Sequence, residues 1–129
     1  MKQITPLTVT SLLSILLLSL HFTSDFLHDA GELSLRMLLI AALILVVLLY
    51  GTVVLAERRS GHVIMLLGAL AALGMPVLHL MTARGVAGAI DRPDAFSFVW
   101  VLLCLGVTGL FSFFLSVHGL VRMRRGQPR

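Results

Sequence analysis

Residues 33–56 read LSLRMLLIAALILVVLLYGTVVLA. Apart from Arg36 near its start, the run carries no charge. At about 1.5 Å of rise per helical residue it is long enough to cross about 30 Å of hydrocarbon. A helix that is apolar all round belongs in a large core or in a membrane, and a chain of 129 residues has no core large enough to bury one. Lipid is therefore the solvent that this stretch requires.

Three further stretches of similar character lie on either side, at 7–27, 62–83 and 96–121. Thr5 and Pro6 suit the cap and first turn of the first helix. Ser60 and Gly61 read as the turn before the third span, and Asp91-Arg92-Pro93-Asp94 as the turn before the fourth. The composition agrees: 58% of residues are hydrophobic and 12% charged, with a mean hydropathy of +1.02, whereas soluble domains carry about 25% charged residues. The expected architecture is an all-α integral membrane four-helix bundle, with residues 1–129 forming a single four-span transmembrane domain whose helices alternate in direction. Lys2 is a weak basic start and no A-x-A-like site follows the first span, so that span is expected to be a retained helix, not a cleaved leader.

The basic residues orient the bundle. With the N-terminus inside, Lys2, Arg58, Arg59, Arg122, Arg124, Arg125 and Arg129 lie on the cytoplasmic side, and Arg36, Arg84 and Arg92 on the other. Short loops enriched in Lys and Arg stay in the cytoplasm, so both termini are expected to be cytoplasmic (N-in/C-in), with short-loop multi-pass insertion pointing to a cell inner (plasma) membrane. Phe96, Phe98 and Trp100 suit an interfacial aromatic belt at the outer side. The net charge of +4 and pI near 10.7 arise from these clusters. No basic face with interleaved aromatics exists, which argues against nucleic acid as a partner. The lone Cys104 has no second cysteine to pair with. It is expected to act as a packing residue.

In lipid, helices associate through small residues and polar contacts. Cys104, Thr108, Ser112 and Ser116 recur every four residues and predict a row on one face of the fourth helix. Gly68 and Ala72, on the side of Met65, Met75 and His79, predict a second seam on the third. Pro76 should bend the third helix and free the carbonyl of Ala72. The second span offers no evident seam.

One constellation carries chemistry. His21, Asp25 and His28 stand at i, i+4 and i+7 on the first helix and share a stripe. His21 lies roughly 22 Å above Pro6 and Asp25 roughly 28 Å, while His79 lies roughly 25 Å above His62 on the third helix. His21, Asp25, His28 and His79 are therefore candidate ligands for a transition metal, zinc or iron, with Asp29 as a hydrogen-bonding support. The same groups also fit a plain hydrogen-bond cluster or proton handling. A second alternative is haem, with His21 and His79 at one level and His62 and His118 at the other. No HExxH, nucleophile elbow or phosphate loop is present, and Ser24 beside Asp25 and His28 is a poor hydrolytic triad. A transporter built on a carboxylate in the middle of the first span is disfavoured, since Leu12 to Leu18 offers only Ser14. The first expectation is thus a non-enzymatic accessory or structural membrane component without a cofactor, held by lipid and by further copies or a larger membrane complex. The alternative is a metal- or haem-binding membrane protein using the His/Asp cluster.

Overall fold

The computed structural model describes residues 5–28, 35–81, 90–91 and 93–125, with the side chains of His28 and Leu80 outside the description. Four long helices account for nearly all of these residues: α1 Pro6–His28, α2 Leu35–Val53, α3 Arg59–Met81 and α4 Ala95–Arg124. Each is long and apolar enough to cross a membrane. Much of their outer surface is hydrocarbon, as with Leu27 at 77% exposed and Leu39 at 60%. In water such a surface would drive aggregation; in lipid it needs no cover.

Neighbour pairs fix the arrangement. Along α2 and α3, Gly51 sits on Ile64 and Gly68 on Leu48. Along α3 and α4, His62 lies on Gly119, Ala72 on Gly109, Pro76 on Gly106 and His79 beside Phe98. On α1 and α4, Ser24 meets Asp94 and His21 meets Phe98. In each pair one number rises as the other falls, so sequential neighbours are antiparallel and α1 runs antiparallel to α4. Among the described residues α2 touches α1 and α3 but not α4, while α1 also reaches α3 across the middle. The result is an up-down-up-down bundle with a short α1–α3 diagonal. Pro6, the turn after α2 and Arg124 lie at one end, called here the termini end; His21, Asp25, His79 and Asp94 lie toward the other.

The local sequence accounts for the ends. Thr5 Oγ1 accepts the Thr8 N–H at 3.2 Å, satisfying one of the four unpaired donors at the start of α1, and Pro6 follows where its missing N–H costs nothing. The α2–α3 turn differs from expectation. It occupies Val54–Arg58, with Arg58 N–H donating to the Leu55 carbonyl at 2.8 Å, and Ser60 and Gly61 already belong to α3. Glycine is required at 61 for proximity: a Cβ there would stand 1.8 Å from the Leu55 carbonyl oxygen.

Packing follows a seven-residue repeat. The buried residues of α4 are Phe98, Leu102, Leu105, Gly109, Ser112 and Ser116, spaced alternately by four and three. Leu7, Ser11, Ser14, Leu18 and His21 repeat the spacing on α1, as do Met65, Ala69 and Ala72 on α3. This is the seam of antiparallel four-helix bundles. It corrects the expected row on α4. Four residues overshoot a full turn by about 40°, so the row from Cys104 to Ser116 drifts by about a third of a turn; Ser112 and Ser116 are buried whereas Cys104 is exposed. The expected α3 seam divides as well: Ala72 meets Gly109 of α4, while Gly68 faces Leu48 of α2. Nor is α2 without a seam, since Ala41, Leu48, Gly51 and Thr52 are buried. Pro76 lies within a continuous α3, its ring 3.5 Å from where a Cβ on Gly106 would stand.

Candidate metal centre

The interior positions of α1 place His21 in the bundle core and Asp25 one turn further along the same face. His21 is 1% exposed and the Asp25 side chain 32%, so the imidazole is held by packing while the carboxylate reaches the bundle end. On α3 the same spacing carries the seam from Ala72 past Pro76 to His79. Its Nε2 lies 3.3 Å from His21 Nε2, and Asp25 Oδ2 lies 3.3 Å from that same His21 nitrogen. One donor atom from each of the three residues falls within 4.8 Å of the others. The structure thus brings together His21, Asp25 and His79 from helices whose contact is the bundle's diagonal. The side chain of His28 and the whole of Asp29 lie outside the described residues.

The fourth helix closes the site. Phe98, 2% exposed, packs against both imidazoles, with ring centroids 5.6 Å from His21 and 5.0 Å from His79, edge-on to the latter at 88°. Such contacts are favourable in themselves, and they fix the ring planes. Phe98 therefore does not belong to the interfacial belt expected of it, whereas Phe96 and Trp100 are 80% and 53% exposed and pair edge-to-face. Ser24 donates to Asp94 Oδ2, tying α1 to the start of α4. This contact directs Ser24 to the carboxylate that precedes α4 and away from any triad with its own neighbours. Asp94 and Phe98 are the two residues of this region that sequence reasoning did not connect to it. Both sit where α4 begins, and Phe98 stands one seven-residue repeat before Leu105.

The distances bear on chemistry. Metal–nitrogen and metal–oxygen bonds of about 2.0–2.1 Å at tetrahedral angles separate adjacent donor atoms by about 3.3 Å. Both contacts of His21 Nε2 have that length. The same two contacts compete as hydrogen bonds. A ring nitrogen is either a donor or an acceptor; if His21 Nε2 carries the proton it serves Asp25, and if it offers its lone pair it serves His79. Holding both with one proton requires a bifurcated bond, which is weaker. A cation between the three groups draws on all three lone pairs at once. Haem fits less well, because trans imidazoles on one iron need nitrogens about 4 Å apart on a common line, two bonds of about 2 Å each. These rings are nearer than that and T-shaped, at 87°. At the termini end His118 is exposed, and His62 Nδ1 lies 3.2 Å from the Arg58 carbonyl of the preceding turn.

Comparison of the chain with protein-family models, with curated proteins and with solved structures finds no match.

Proposed function

We propose that this chain is a small multi-pass membrane protein that holds one divalent transition metal ion, zinc foremost, through His21, Asp25 and His79. The observation that carries the reading is the convergence of three donor atoms from two helices within 4.8 Å of one another, with both contacts of His21 Nε2 at the tetrahedral-edge length of 3.3 Å. Imidazole and carboxylate suit zinc and iron(II) and disfavour the softer cuprous ion, which seeks sulfur. Three protein ligands leave a fourth position for water or another small donor, the pattern of reactive rather than closed structural zinc sites. The apolar wall formed by Phe98 limits water on one side and strengthens the electrostatics at the ion. The clustering of Arg58, Arg59, Arg122, Arg124 and Arg125 at the termini end supports a cytoplasmic location for that end in an inner (plasma) membrane, with the metal site near the opposite face.

A second reading is favoured by the contacts themselves. His21–His79, His21–Asp25 and Ser24–Asp94 tie α1, α3 and α4 together, and polar contacts between helices in lipid stabilise association. In that case the cluster is a clamp in an accessory or structural component, assembled with further copies or a larger complex.

Titration of the purified, detergent-solubilised protein with Co²⁺ separates the two. The metal reading expects one equivalent bound with the visible bands of tetrahedral cobalt, and an affinity reduced at least about a hundredfold by His79→Ala or His21→Ala, since even outer-shell changes cost ten- to a hundredfold. A colourless titration, or a spectrum indifferent to both substitutions, would leave the clamp.

A further inference from the structure

The hydroxyl groups of this bundle fall into two populations. At the rim, Thr10, Ser19, Thr23, Ser97 and Thr108 each donate to a carbonyl three or four residues back, at 2.7–3.1 Å. This is the usual way for a serine or threonine on a helix to satisfy itself. In the interior, Ser11, Ser14, Ser112 and Ser116 do not. They are 5%, 7%, 1% and 0% exposed, and their hydroxyl oxygens have no hydrogen-bond partner among the described residues. A buried hydroxyl left in that state is costly, and four in one half of a small bundle call for a common explanation.

Three of the four share a cavity. Ser11 and Ser14 of α1 and Ser112 of α4 line it together with Thr52 of α2; the rest of the lining is apolar, Met65 and Ala69 of α3 among it. The room within it for the centre of a water molecule is about 10 Å³, close to the least that holds one water. An apolar cavity of this size would stay dry, whereas one with several convergent hydroxyls offers a water the two to four partners it needs. Leu18 and Leu48, which also line the cavity, pack with Ala72 and Leu105 in a buried apolar cluster between it and the His/Asp cluster. Ser116, one turn from Ser112, continues the hydroxyls toward the termini end.

We infer that the Ser11–Ser14–Thr52–Ser112 cavity is a binding site for a single water molecule that bridges α1, α2 and α4, in the half of the bundle opposite the His/Asp cluster. The water supplies a partner to the hydroxyls of Ser11, Ser14 and Ser112 and makes serine compatible with these interior positions of the seven-residue repeat. It enters from the termini end, because the hydroxyls extend that way and the leucine layer blocks the other.

Proton-detected solid-state NMR of the protein in lipid bilayers tests this by following magnetisation transferred from water. Transfer to the backbone amides of Ser14 and Ser112 should be severalfold faster than to that of Leu105, which is 0% exposed. It should fall toward the Leu105 level in Ser14→Ala/Ser112→Ala, where only the Ser11 and Thr52 hydroxyls are left to hold a water, while transfer near His21 is unchanged. The isosteric Thr52→Val should lower it with no change of volume, and serves if the double variant loses its fold. Wild-type transfer at Ser14 and Ser112 no faster than at Leu105, or fast transfer that survives both the double variant and Thr52→Val, would overturn the inference. None of these outcomes depends on whether a metal binds at His79.

Discussion

Two glycines on the same helix should respond in opposite directions to the same substitution. In Gly61→Ala the new methyl carbon would stand 1.8 Å from the Leu55 carbonyl oxygen. An ordinary carbon–oxygen contact is about 3.3 Å, so about 1.5 Å must be found by moving backbone, since no flexible side chain is involved. The oxygen that must move also accepts the Arg58 N–H. Overpacking of this kind costs typically about 1–3 kcal/mol and loss of the turn's hydrogen bond about 1 kcal/mol more, so a loss of about 3 kcal/mol is expected. In Gly74→Ala nothing lies within 4 Å of the new carbon, and alanine is favoured over glycine in a helix by up to about 1 kcal/mol. Reversible unfolding of the solubilised protein in mixed SDS micelles, followed by helical circular dichroism, reads both values. The α2–α3 junction described above is refuted if Gly61→Ala unfolds like the wild type, or if Gly74→Ala costs as much as Gly61→Ala.

The contact between Gly68 and Leu48 predicts a compensating swap: Gly68→Leu and Leu48→Ala should each destabilise, the latter by about 2 kcal/mol or more, but the double variant should recover part of the loss, and strictly additive losses in the same unfolding assay would count against the contact. For orientation, cysteines placed at Arg125 and Asp91 in a Cys104→Ser background should react oppositely with an impermeant maleimide on sealed cells, only the Asp91 position labelling from outside; equal labelling at the two would refute the proposed topology. Phe98→Ala removes the wall shared by both imidazoles and should weaken Co²⁺ binding about tenfold or more, in the range of outer-shell changes, while Phe96→Ala, on the exposed side of α4, should leave it unchanged.

Which stretches are long and apolar enough to span a membrane was legible because length and apolarity alone decide it. The inward faces were harder to read, for a physical reason. In a soluble helix the buried face is the apolar one, but here the exposed residues of α2, such as Leu39, Leu43 and Val46, are as hydrophobic as the buried Leu48. Hydropathy therefore carries no contrast between lipid and core. What marks the core is smallness and polarity: Ser11, Ser14 and His21 on α1, Gly51 and Thr52 on α2, Gly109, Ser112 and Ser116 on α4. Those residues were visible, but a strict four-residue step follows them only over a short distance before the helix turns away. An alternating step of four and three stays on the seam, and it excludes Cys104 while including Leu105 and Phe98. The α2–α3 turn was misplaced because Gly61 looks like a turn residue, whereas it is needed for the close approach of a helix start to the preceding turn.

The candidate site shows the same division between what pattern can and cannot tell. Depth along a helix is arithmetic, and it places His79 level with His21. Azimuth depends on which neighbours a helix chooses, and the diagonal contact between α1 and α3 has no signature in either helix by itself. That diagonal decides the chemistry. Were α1 and α3 kept apart by larger residues at the buried Ala69 and Ala72, His21 and Asp25 would remain a pair on one helix, joined by a single hydrogen bond. Close packing at these small residues instead brings in a second imidazole, and with it the conflict at His21 Nε2 that one proton resolves poorly and one cation resolves well. The small residues of the middle of the bundle are thus what turns a helix-end His–Asp pair into a three-donor site, although none of them touches it.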